Sequence, residues 1–121
     1  MIKLVYAIRR RADLTPAAFR ERWRAEHAPL VARFATAMRA RRYVQSHTLD
    51  SPWNATLQAS RGSAPPFDGI TEVWWDSDAD FQAALATPEG QEAGRALLQD
   101  ERDFIDFAGS SLFLTEEHAI F

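Results

Sequence analysis

The chain carries three histidines and no cysteine, so proton-transfer chemistry near neutral pH falls to imidazole, carboxyl and phenol groups. Thiol nucleophiles, disulfides and thiolate metal sites are excluded. His47 is the sharpest candidate. It follows Tyr43 by four residues in an extended segment and reads as a general acid or base, with a hydrogen-bonded interface histidine as the competing reading. His27 follows Trp23 by four residues on an apolar helix face, just ahead of Pro29. It reads as a second acid–base group, or as a structural histidine bonding a carbonyl that Pro29 leaves free. Glu72, if buried, needs either a raised pKa or a basic partner. It reads as the group orienting His47, or as one half of an ion pair. Tyr6, Tyr43, Trp74 and Trp53 offer flat surfaces with polar tips, suited to a small aromatic or polyketide-like ligand.

Other chemistries lack support. Glu26-His27 and Glu116-Glu117-His118 do not have the spacing that brings two metal ligands to one helical face, and no metal is expected. There is no Gly-x-Gly-x-x-Gly fingerprint, phosphate loop or Gly-x-Ser-x-Gly elbow, so no nucleotide cofactor or serine nucleophile is expected.

The elements that must position these residues follow from pattern. Ile2 to Ile8 is rich in strand formers and ends at Arg9-Arg10-Arg11. Thr15-Pro16 supplies a cap and a first-turn proline, and Phe19, Trp23, His27, Leu30, Phe34 and Met38 mark one face of a helix that Pro29 should kink near residue 28. Arg42 to Leu49 reads as a second strand and Ile70 to Trp75 as a third. Between them, residues 51–68 hold Pro, Gly, Ser and Asn without sustained periodicity and read as a long loop. Ser77 with Asp80 caps a further helix, Thr87-Pro88 starts its second segment, and Ser110 to Phe121 closes with a fourth strand.

The order β-α-β-β-α-β is that of a ferredoxin-like α+β domain with a four-stranded antiparallel sheet. Alternation divides each strand between two faces. The small residues Ala7 and Ser46 suit close helix packing, which places Val5, Ala7, Val44, Ser46, Val73 and Trp75 under the helices. Leu4, Tyr6, Ile8, Tyr43, His47 and Trp74 then form an aromatic second face. Such a surface calls for a partner, and pairing two of them makes a dimeric α+β barrel around a pocket bordered by His47, Glu72 and Trp74.

Bulk properties agree with one small domain over residues 1–121. Of 121 residues, 46% are hydrophobic and 26% charged, and no apolar run approaches the roughly 20 residues that span a bilayer. No membrane partner is expected. The first residues place their charge after their apolar stretch, the reverse of a secretory signal, so a cytoplasmic location is the default. Residues 1–50 carry eleven basic and four acidic side chains against three and thirteen in residues 51–121. The arginines lack an interleaved aromatic platform, so the halves are read as complementing one another, with no nucleic-acid partner.

Several segments together are distinctive: Phe19-x-x-x-Trp23-x-x-x-His27-Ala28-Pro29-Leu30, Tyr43-Val44-Gln45-x-His47, Asp68-Gly69-Ile70-x-Glu72-x-Trp74-Trp75-Asp76-Ser77 and Phe104-Ile105-Asp106. In this order they resemble the EthD family of dimeric α+β barrel proteins. Trp75 stands where the family more usually has Phe. The resemblance implies a cofactor-free homodimer, related to proteins of ether degradation, polyketide cyclases and dehydratases, quinone-forming monooxygenases and stress-induced proteins. It points to a cofactor-independent tailoring enzyme in which a histidine removes a proton beside a carbonyl of a small aromatic or polyketide-like substrate. The alternative is a non-catalytic barrel that binds an apolar metabolite or supports a partner protein.

Overall fold

The computed structural model describes all residues, 1–121. Strands β1 (Ile2–Ile8), β2 (Arg42–His47), β3 (Gly69–Trp75) and β4 (Ser111–Glu116) form one antiparallel sheet in the order β2-β3-β1-β4. This is the ferredoxin-like arrangement read from the sequence, with the first and third strands central. No helix is long and apolar enough to cross a membrane.

The first helical run is divided into α1 (Pro16–Arg22), a π-helical turn (Trp23–His27) and α2 (Ala28–Phe34). Thr15 caps its start by accepting a hydrogen bond from the Ala18 amide at 3.1 Å. The expected disturbance at Pro29 takes the form of that π turn rather than a break. Pro29 has no N–H to give, so the ladder shifts and the Ala28 amide bonds the Trp23 carbonyl. The chain thereby keeps a continuous helical path while re-aiming the side chains of Trp23 and His27. In the second run, α4 (Asp78–Ala86) is capped by Ser77 and α5 (Pro88–Glu101) by Thr87.

Residues 51–68 depart from the loop reading. Pro52–Arg61 form helix α3, started by the Ser51 hydroxyl, which accepts from the Trp53 amide, and stopped by Gly62 in the left-handed region at φ 59°. The helix buries none of its residues. That explains why no apolar stripe marked it, although both its caps stand in the sequence.

The division of the strands between faces also needs correction. Cross-strand partners share a face of the sheet, and the register pairs Leu4 and Tyr43 with Val73, Tyr6 with Thr71, and His47 with Gly69. Leu4, Tyr6, Ile8, Tyr43 and His47 therefore lie under the helices with Val73 and Trp75. Val5, Ala7, Val44 and Ser46 face the other way, with Glu72 and Trp74. Small residues were a poor guide because the close approach of helix to sheet occurs elsewhere. It is at Gly69, where a Cβ would lie only 2.4 Å from the Trp23 ring.

Trp23 sits in the main core cluster with Ile8, Phe19, Phe104 and Ile105. The segment after α5 is tied to the end of β1 through the Arg11 amide to the Phe104 carbonyl and the Asp106 amide to the Arg9 carbonyl, each at 2.9 Å. These ties hold the C-terminal turn of α5 over the sheet. The opposite sheet face has no helix on it and presents Val5, Val44, Ile70 and Phe113, the last 48% exposed.

Candidate functional site

Between the helices and the sheet lies a cavity of about 210 Å³. Its walls come from β1 and β3, from Trp23, His27 and Val31 of the first helical run, and from Phe81, Leu85, Leu97 and Glu101 of the second. Fifteen of its twenty lining residues are hydrophobic, Tyr6 and Tyr43 among them, so the polar groups are few: the two phenol hydroxyls, His27, Thr71 and Glu101. An apolar cleft with a small convergent set of polar groups is the usual form of a small-molecule site. An apolar cavity of about 150 Å³ is known to hold benzene, so this one has room for a substituted single ring.

His27 is 5% exposed. Its Nδ1 lies 2.7 Å from Asp100 Oδ2, and its Nε2 lies 4.0 Å from Glu101 Oε2. Asp100 is in turn gripped by the Arg22 guanidinium, at 2.6 and 3.1 Å to its two oxygens. That guanidinium, chiefly through hydrogen bonding, holds the Asp100 carboxyl below the usual carboxylate range. An ionised Asp100 accepts a proton bond from Nδ1–H, leaving the Nε2 lone pair turned toward Glu101. Burial lowers the His27 pKa, and Asp100 only partly offsets this. The imidazole is therefore neutral at pH 7.

Glu101 is the unusual acid. Burial pushes its carboxyl up to about 7, and the neighbouring Asp100 charge adds to the rise, while the Tyr6 hydroxyl opposes it by hydrogen bonding. Tyr6 is itself raised, mainly by burial and then by the Glu101 charge, so it stays a protonated donor. The cavity thus holds a carboxyl that titrates near neutrality, a neutral imidazole next to it, and an anchored anion behind the imidazole.

Of the sequence candidates, His27, Tyr6 and Tyr43 reach this cavity. His47 lies on the same sheet face but outside the walls, stacked on the far side of Trp23 with ring centroids 4.4 Å apart. Its Nε2 is 2.9 Å from Gln45 Oε1. Burial lowers its pKa, as do the Arg24 and Arg20 charges. Glu72 and Trp74 lie on the opposite face of the sheet. Glu72 pairs with Lys3 at 2.7 Å, and the Trp74 indole donates to Glu117. The expected single space bordered by His47, Glu72 and Trp74 does not exist, because strand alternation puts the sheet between them. Trp53 is 70% exposed on α3, away from the cavity.

Sequence reasoning missed Asp100, Glu101 and Arg22. A signal was present: Asp100 and Glu101 close helix α5, which has no basic residue in its last turn. Carboxylates there oppose the helix dipole, so something else must hold them. That something is Arg22 and His27.

The EthD domain matches residues 11–108 of the chain. No curated protein matches the sequence. Among solved structures, the chain is similar to an ethyl tert-butyl ether (EthD) family protein from Bacillus halodurans C-125, with 26% identity, 98% of this chain and 99% of that one covered, and a TM-score of 0.62. It is also similar in fold to SnoaB, a cofactor-independent oxygenase from Streptomyces nogalater, at 18% identity, 98% and 95% coverage and a TM-score of 0.56. A dimeric ferredoxin-like protein of unknown function from Thermobifida fusca YX shares the fold at 16% identity, 94% and 88% coverage and a TM-score of 0.59.

Proposed function

The chain belongs to the EthD family, and from that premise we propose that it is a cofactor-independent enzyme that removes a proton beside a carbonyl on a small, ring-bearing substrate. The observation carrying this reading is the Asp100–His27–Glu101 row at the edge of an apolar cavity. A base is most effective when its pKa lies near the working pH, and Glu101 meets that condition.

In this reading the ionised Glu101 takes the proton from carbon. The C–H electron pair moves through the carbonyl carbon onto oxygen, giving an enolate. The proton stays on Glu101, whose carboxyl holds it more tightly than the buried imidazole would, and His27, fixed by Asp100, keeps its Nε2 turned toward that carboxyl. Enolate formation is the step shared by cyclase, dehydratase and monooxygenase chemistry, in which the enolate attacks a second carbonyl, expels a β-hydroxyl as water, or passes an electron to dioxygen. Membership of the family supports the class, and the oxygenase activity stated for SnoaB is compatible with one branch of it.

The working form in this reading is a cytoplasmic homodimer, supported by the dimeric state stated for the Thermobifida fusca YX protein, and its joint is assigned to the helix-free sheet face because that face is apolar and uncovered. The cavity is then a property of each subunit. Loss of deuterium from the α carbon of a ring-bearing ketone tests the proposal. A pure binding protein would hold the ketone without exchanging it.

A further inference from the structure

The Tyr43 hydroxyl lines the cavity and accepts a hydrogen bond from Gln45 Nε2 at 2.8 Å. A phenol has a proton to give as well as lone pairs that accept, and the Tyr43 proton meets no acceptor on the protein, so it is free to be given to a ligand.

The direction of these bonds follows from Gln45. Its Nε2 donates to the Trp23 carbonyl at 3.0 Å and to Tyr43 Oη at 2.8 Å. A carbonyl can only accept, so the amide nitrogen must face that way and Oε1 must face His47. His47 therefore donates from Nε2. The chain of donors runs from His47 to Gln45 to Tyr43, and it ends on an O–H that lines the cavity.

We propose that Tyr43 Oη–H forms the oxygen-binding subsite of the cavity, selecting ligands of single-ring size that bear a carbonyl or phenolic oxygen. Gln45 and His47 are positioning residues that hold the Tyr43 donor toward the ligand without touching it. The proposal rests on reading the cavity as the substrate site, and it adds where the substrate's oxygen goes. A donor on that oxygen would also stabilise the charge that develops there when a proton is lost.

The test uses acetophenone and its hydrocarbon isostere α-methylstyrene, with the carbonyl stretch of bound acetophenone followed by infrared spectroscopy. Tyr43→Phe should weaken acetophenone binding about tenfold, as loss of one hydrogen bond does, and shift the stretch to higher frequency. Binding of α-methylstyrene should be unchanged. His47→Phe retains the stack on Trp23 and should move both readouts in the same direction by a smaller amount. Both readouts are taken on bound acetophenone without turnover, so they report this subsite separately from the proton-transfer reading. Failure of acetophenone to bind the wild type, an unchanged stretch in Tyr43→Phe, or an equal loss of both ligands would overturn the proposal.

Discussion

His27 Nδ1 and Asp100 Oδ2 meet at 2.7 Å although 73 residues separate them in the chain. This contact joins the π-helical turn of the first helical run to the last turn of α5, with Arg22, behind the part of the cavity wall that His27 forms. It also sets the imidazole's tautomer, and so the direction of its free lone pair.

Asp100→Asn should expose what that contact contributes. The Asp100 pKa is held down in the folded state, first by Arg22. Its contribution is thus present above the ordinary carboxylate pKa and is lost as pH falls through the lower folded value. The variant should be about 1.5–3 kcal/mol less stable at pH 7, the range for hydrogen bonds to charged groups. Urea unfolding over a pH series should show the gap closing at acid pH.

Glu101 carries the opposite sign. Its folded pKa of about 7 exceeds the ordinary value of 4.5, so the folded state binds the extra proton and stability falls as pH rises from 4.5 through 7. Glu101→Gln should remove that fall. It should match the wild type below pH 4.5 and exceed it above pH 7 by up to about 3 kcal/mol. A parallel pH dependence of the two proteins in thermal unfolding would show that Glu101 ionises like a solvated acid.

Gly69→Ala should disturb the cavity from outside it. The new methyl would lie 2.4 Å from the Trp23 ring, and overpacking of this kind costs about 1–3 kcal/mol. Trp23 is also the wall between His47 and the cavity. The variant should show a lower unfolding midpoint together with a changed tryptophan fluorescence spectrum.

The helix-free sheet face gives a separate prediction. Phe113→Asp places a charge on the most open apolar residue of that face, where a buried unpaired carboxylate is strongly disfavoured. Sedimentation should show the wild type as a dimer at micromolar concentration and the variant shifted to monomer. A monomeric wild type would contradict the proposed dimer.

The architecture was largely legible from the residues, and the site was less so. Strand composition, the Thr15-Pro16, Ser77 and Thr87-Pro88 starts and the element order all carry local signals. Helix α3 was hidden because it buries nothing, although Ser51, Pro52 and Gly62 mark its ends. Alternation separates residues into two sets but does not say which set faces the helices, and Tyr6, Tyr43 and His47 changed sides for that reason. Asp100 and Glu101 were legible only as acids at the wrong end of a helix. Their pairing with Arg22 and His27 depends on how two helices cross, which one sequence does not encode locally.

The most direct test of the account is loss of deuterium from the α carbon of deuterated phenylacetone in water, followed by nuclear magnetic resonance with and without the protein. If Glu101 is the base, exchange is faster with the protein present, rises with pH through about 7 as Glu101 ionises and is abolished in Glu101→Gln. Exchange at the buffer rate while phenylacetone occupies the cavity would contradict it.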